Sequence, residues 1–179
     1  MAEHKIIFTG PVGAGKTTAI SVLSDIAPIT TDEVASDMTK DLKQQTTVAM
    51  DYGLMRINGS ERVHLYGTPG QERFNFMWEV LTQGGLGLVL LIDNSRKEPF
   101  QDLYFFLDAF KSFIHRTAIS IGITRMDEKS QPQIDDYHRE ITSMGWPVLP
   151  IMEVDAREKE DMSMLVQSLL YTIDPTVTE

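Results

Sequence analysis

A chain of 179 residues with 42% hydrophobic content can bury one substantial core and reads as a single domain over residues 1–179. Its net charge of −10 disfavours nucleic acid and anionic lipid as partners, because both attract basic faces. The lack of cysteine excludes disulfides, thiol catalysis and thiol-linked lipids, and Ala2 excludes N-myristoylation. With neither a signal peptide nor an apolar run long enough to span a bilayer, a cytoplasmic location is expected.

In chain order, Ile6-Ile7-Phe8 predicts a short buried strand, and Thr18 to Ile26 predicts a helix with Ala19, Ile20, Leu23 and Ile26 on its core face. Between them runs Gly10-Pro11-Val12-Gly13-Ala14-Gly15-Lys16-Thr17, a full match to G-x-x-x-x-G-K-[ST]. A strand, a glycine loop and a helix in this order form a phosphate cradle. Glycines let backbone N–H groups converge on phosphate oxygens, and the helix N-terminus adds a favourable field. Gly13, Ala14, Gly15, Lys16, Thr17 and Thr18 are the candidate phosphate ligands, with Lys16 reaching the β- and γ-phosphates and Thr17 ligating Mg²⁺.

Residues 28–47 are polar and too long for an ordinary connection, which suggests a functional loop. Alternating apolar residues over 48–58 and 61–66, with Asn58-Gly59 between, predict a hairpin. A loop with Gly67, Pro69 and Gly70 leads to a helix through Val80 and Leu81. Leu86 to Ile92 reads as a central parallel strand covered on both faces. Then come a helix at 99–114 with core stripe Phe100, Leu103, Leu107, Phe110 and Ile114, a strand at 118–123, and a helix at about 133–143. A strand at 147–151 and a helix at about 159–173, with Met162, Leu165, Val166, Leu169 and Ile173 on one face, complete the order. The alternation predicts a doubly wound α/β fold: six mostly parallel strands, one antiparallel hairpin at an edge, and helices on both faces.

Gly67-Thr68-Pro69-Gly70-Gln71-Glu72-Arg73-Phe74, taken with the phosphate loop, resembles the second switch of Ras-like small GTPases, D-x-x-G-Q-E. The resemblance implies that Gly70 offers its N–H to the γ-phosphate and that Gln71, the catalytic candidate, orients the attacking water. It implies that Thr47, or failing that Thr46, closes on Mg²⁺ and the γ-phosphate. Thr124-Arg125-Met126-Asp127 stands where the family has N-K-x-D, and Asp155-Ala156-Arg157 where it has S-A-K. Asp127 is then the acceptor for guanine, Arg125 packs on the base, Thr124 replaces part of the asparagine's bonding, and Ala156 gives its N–H to guanine O6.

Gly67 in place of the family's Asp, the Pro69-Gly70-Gln71 sequence and the preceding His64-Leu65-Tyr66 resemble the prokaryotic MglA-type GTPases. Thr46 to Gly53 resembles those found with roadblock-domain proteins, so a roadblock-type regulator and an effector are implied partners, and Mg²⁺ is the implied cofactor. Without an Asp at 67, Asp51 or Asp93 is the candidate substitute, Asp93 being equally a cap on the loop after its strand. Val12 beside the γ-phosphate region implies slow hydrolysis and a partner that repositions Gln71 instead of donating an arginine. Two alternatives stand beside a slow GTP switch: a GTP-bound scaffold without turnover, and a small ATP-using enzyme. The four histidines lack metal-like spacing, Arg73 suits a surface ion pair, Arg56 guards a sheet edge, and Phe105 and Phe106 belong to a broad core face or to a partner site.

Overall fold

A computed structural model describes residues 3–30, 50–57, 61–70 and 75–174. Seven strands form one sheet: β1 (Glu3–Thr9), β2 (Ile29–Thr30), β3 (Asp51–Ile57), β4 (Glu61–Gly67), β5 (Gly87–Asp93), β6 (Ile119–Thr124) and β7 (Ile151–Glu153), in the order β2-β3-β4-β1-β5-β6-β7. From β4 to β7 the neighbours are parallel, while β2–β3 and β3–β4 are antiparallel. The six expected strands are present. The two-residue β2 extends the sheet by a short pairing that no local pattern announces.

Among the described residues the α-helices are α1 (Lys16–Leu23), α2 (Asn75–Thr82), α3 (Pro99–Ala109), α4 (Lys111–Ile114), α5 (Ile134–Ser143) and α6 (Lys159–Ile173). One layer, α1 and α6, closes over Ile6, Phe8, Leu65, Val89 and Leu91. The opposite layer, α2 to α5, buries Ile7, Leu88, Leu90 and Ile92 under Trp78, Leu103, Phe106 and Ile141. Strand β5 is buried at every residue, as its unbroken apolar run requires. The chain leaves β1 toward β4 on one side and later returns to β5 on the other. That puts the switch point of the sheet beside β1, and the loop 10–17 at its carboxyl end.

Several boundaries differ from the sequence reading, each for a local reason. α1 stops at Leu23 because the Ser24 hydroxyl accepts the Ile26 and Leu54 N–H groups, so Ile26 leaves the helix and is exposed. Phe110 divides the expected 99–114 helix into α3 and α4. The stripe includes the buried Phe106, while Phe105 is half-buried against Trp78, so these rings belong mainly to the core face. β7 begins after Pro150, not at 147, since proline has no N–H for a ladder. Ile173 in the last turn of α6 is exposed. Arg56 is not on an open edge: Asp25 accepts its N–H at 2.8 Å and donates its own N–H to Leu54 O at 2.7 Å. Asn58-Gly59 and residues 31–49 lie outside the described residues; the strands on either side pair antiparallel, with Ile57 opposite Glu61. No described helix is long and apolar enough to cross a membrane.

Candidate functional site

The loop after β1 is shaped by three glycines with positive φ: Gly10 (+142°), Gly13 (+82°) and Gly15 (+102°). Gly15 starts α1, no side chain caps the helix, and its first-turn donors are left to a ligand. Lys16 is buried, and its Nζ donates to Gly10 O and Pro11 O, both at 2.8 Å. Burial pushes its ammonium down to about 8, opposed by the nearby charge of Asp51. An arriving phosphate favours its charged form and offsets the cost of burial.

The loop after β4 closes on the same point. Thr68 donates its N–H to Phe8 O at 2.8 Å, and its hydroxyl bonds that of Thr9 at 2.8 Å, both in the interior. Pro69 O accepts the Trp78 indole N–H at 3.2 Å. Gly70 lies so close to the phosphate loop that a Cβ on it would come within 2.6 Å of Val12 N and 2.8 Å of Lys16 Nζ. Gly70 thus packs directly against the phosphate loop. Thr17 Oγ1 donates to Asp51 Oδ2 at 2.6 Å. Gln71, Arg73, Thr46 and Thr47 lie outside the described residues.

On the other side of Gly15 lies a cavity of about 540 Å³ bounded by Ala14, Gly15, Thr18, Thr124, Arg125, Asp127, Asp155, Ala156 and Arg157. Every residue expected at a base site lines it, and it opens directly onto the phosphate loop. Thr124 Oγ1 lies 3.3 Å from both Ala14 O and Ile92 O and donates to them, tying the end of β6 to the phosphate loop. Ala156 is buried, and its Cβ would lie 2.8 Å from any Cβ placed on Gly15. Asp155 accepts from the backbone N–H, Nε and Nη2 of Arg157 at 2.9, 2.9 and 2.6 Å. This fork holds the Asp155 carboxyl down at about 2 and raises the Arg157 guanidinium. Asp127 is exposed at the rim.

Arg125 occupies the left-handed region (φ 55°, ψ 38°), and its Nη1 pairs with Asp93 Oδ2. The other Asp93 oxygen accepts from Ser95 N at 2.9 Å and Ser95 Oγ at 2.6 Å. Asp93 is thus the cap on its loop and the anchor of Arg125. Asp93→Ala strands the Ser95 donors and frees Arg125; we expect a loss of about 1–3 kcal/mol in urea unfolding and weaker nucleotide binding in titration. Asp161, which accepts the Asp155 N–H at 2.8 Å, and the Thr9–Thr68 pair escaped the sequence reading, since only cross-chain proximity reveals them. A larger groove of about 1010 Å³ between α2 and α3–α4, lined by Trp78, Phe105, Phe110, Phe113 and Arg116, lies apart from these residues.

Residues 27–135 match the family described as "Conserved hypothetical ATP binding protein". The chain belongs to that family. The match takes in β3, β4, the loop to Gly70, β5, β6 and Thr124 to Asp127. Over 94 residues the chain is 32% identical to "Uncharacterized protein MJ1339" of Methanocaldococcus jannaschii, covering 52% of this chain and 53% of that protein. Over 102 residues it is 28% identical to "Ras-related protein Rab-12" of Mus musculus, covering 55% of this chain and 37% of that protein; the Homo sapiens protein of the same name matches equally. The chain therefore spans about half or less of the length of these curated relatives. A family member with this phosphate loop and Rab likeness is a P-loop nucleotide-binding protein related to the small GTPases.

Proposed function

We propose that the chain is a GTP-binding switch that hydrolyses GTP to GDP slowly and signals through nucleotide-dependent switch loops, with partners binding near residues 40–57 and 67–78. The observation that carries this reading is the cavity shared by the phosphate loop and the Thr124–Asp127 and Asp155–Arg157 loops, with Asp127 at its rim. Lys16 and the first turn of α1 bind the phosphates, Arg125 and Ala156 frame the base, and Gly70 meets the γ-phosphate. In this reading Gln71 orients the attacking water, and departure of the γ-phosphate releases Gly70 and Thr47 together. Thr17 and Thr47 hold Mg²⁺; the hard oxygen donors at Thr17 and Asp51, 2.6 Å apart, suit that cation. Bound there, Mg²⁺ neutralises charge developing between the β- and γ-phosphates. The Val12 backbone flanks Gly70 and its branched side chain is exposed, and in this reading that side chain obstructs an arginine from outside. A regulator of roadblock type, acting on Gln71, an effector and a cytoplasmic location complete the proposal.

ATP is the second reading, favoured by the description of the matching family. Multiple-turnover phosphate release with GTP and with ATP, in Mg²⁺, decides between them: slow release from GTP alone is expected, and equal or faster release from ATP overturns it. Removing the guanine acceptor gives an independent check. Asp127→Ala is expected to lower the preference for GDP over ADP by about 10–100-fold in competition binding, the worth of a paired hydrogen bond to a base edge.

A further inference from the structure

Strand β4 ends on Gly67, and in the antiparallel register its partner on β3 is Asp51. The Asp51 carboxylate reaches across the pair, where Oδ2 accepts the Thr17 hydroxyl at 2.6 Å. A Cβ built on Gly67 would lie 3.1 Å from Asp51 Cβ, Asp51 Oδ2 and Ile20 Cδ1, so a side chain there would crowd the Asp51 carboxylate. The rival carboxylate is engaged elsewhere: Asp93 has one oxygen on Ser95 and the other on Arg125.

We propose that Asp51 is the carboxylate that positions the divalent-cation site, delivered from β3 across the sheet, and that residue 67 is glycine because Asp51 occupies its side-chain volume. The inference rests on the nucleotide reading of the site. By accepting the Thr17 proton, Asp51 leaves an oxygen lone pair of that hydroxyl turned toward the cation and adds a negative charge beside it. Asp51 acts as a positioning residue, through Thr17. The cation is thereby tied to β3, and not to the loop that follows β4.

The test uses the full chain loaded with fluorescent GDP and, separately, fluorescent ADP, with release followed in Mg²⁺ and again after EDTA. In the wild type EDTA is expected to speed release. In Asp51→Asn the rate in Mg²⁺ rises toward the EDTA rate, a loss of about 10–100-fold in Mg²⁺ affinity, while the EDTA rate stays near that of the wild type. The double variant Asp51→Ala/Gly67→Asp returns a carboxylate from the other strand into the vacated volume and restores much of the Mg²⁺ effect. A folded Asp51→Asn protein with the wild-type Mg²⁺ effect overturns the proposal, as does a wild type whose release ignores Mg²⁺ with both nucleotides. If Asp51→Asn does not fold, a folded double variant without Mg²⁺ dependence overturns it. Retention of ADP over GDP removes the GTP reading alone, and the Mg²⁺ effect on ADP release then decides the role of Asp51.

Discussion

Lys16→Met is expected to weaken nucleotide binding by about 100–1000-fold while leaving the ligand-free fold nearly unchanged. The ammonium sits between Gly10 O and Pro11 O, next to Gly70, and carries a charge that burial disfavours. Charge-assisted hydrogen bonds to two phosphates, at about 1.5–2 kcal/mol each from the lower part of their usual range, give the expected loss. In the ligand-free protein the methionine gives up two hydrogen bonds but also removes the burial of a charge. The two effects oppose each other, and urea unfolding should change by no more than about 1 kcal/mol. The pH dependence carries a sign. Ligand-free Lys16 releases its proton near pH 8, and phosphate favours the charged form, so affinity is full below about 8 and falls as pH rises, by up to about tenfold per unit. For the same reason the ligand-free protein gains stability from this group between about pH 8 and its ordinary 10.5. Titrations at several pH values check both expectations, and Lys16→Met should lose the affinity trend.

Gly10→Ala is expected to cost about 3 kcal/mol or more in the ligand-free protein, a much larger effect than the same change at Gly13. At Gly10 the backbone adopts φ +142°, and a Cβ would stand 2.1 Å from Leu91 O. That carbonyl belongs to the central strand β5, buried and paired on both sides, so it cannot retreat without disturbing the ladder. Gly13 also has positive φ (+82°), but a Cβ there meets nothing within 4 Å, leaving only left-handed strain of about 1 kcal/mol. Denaturant unfolding of the two variants side by side separates steric exclusion from conformational strain. Equal losses would show that contact with β5 is not what keeps residue 10 a glycine.

These two glycines also mark how far the sequence could be read. The motif that contains them is local, and its strand-loop-helix setting follows from periodicity within thirty residues. The apolar run of β5 and the stripe of α6 were legible for the same reason, each element declaring its own burial. Boundaries failed where side chains compete with the backbone, as at Ser24, or where proline withholds a donor, as at Pro150. The meeting of the Thr124–Asp127 and Asp155–Arg157 loops around one cavity was legible because both follow strand ends whose order the alternation fixes. The contact of Asp51 with Thr17 depends on which residue of β3 faces Gly67, and a slip of one position would turn that carboxylate to the other face of the sheet. Sequence could name Asp51 and Asp93 as candidates for the missing carboxylate; register and the bonds to Ser95 and Arg125 distinguish them. Gln71 and Thr47 fall outside the described residues, so their roles belong to the proposal.

The indole of Trp78 gives the protein an optical probe of its own. It is buried, stacks on Phe110 with ring centroids 5.0 Å apart, and donates to the carbonyl of Pro69, the residue before the glycine that rests on Lys16. Any displacement of that backbone changes the polarity and hydrogen bonding of the chromophore, so exchange of diphosphate for triphosphate should shift its emission without a label. The second tryptophan, Trp146, stacks on His115 at 4.9 Å and supplies a background that Trp146→Phe removes. Stopped-flow fluorescence of that variant would then time the movement of the loop itself, separately from the chemistry that follows it.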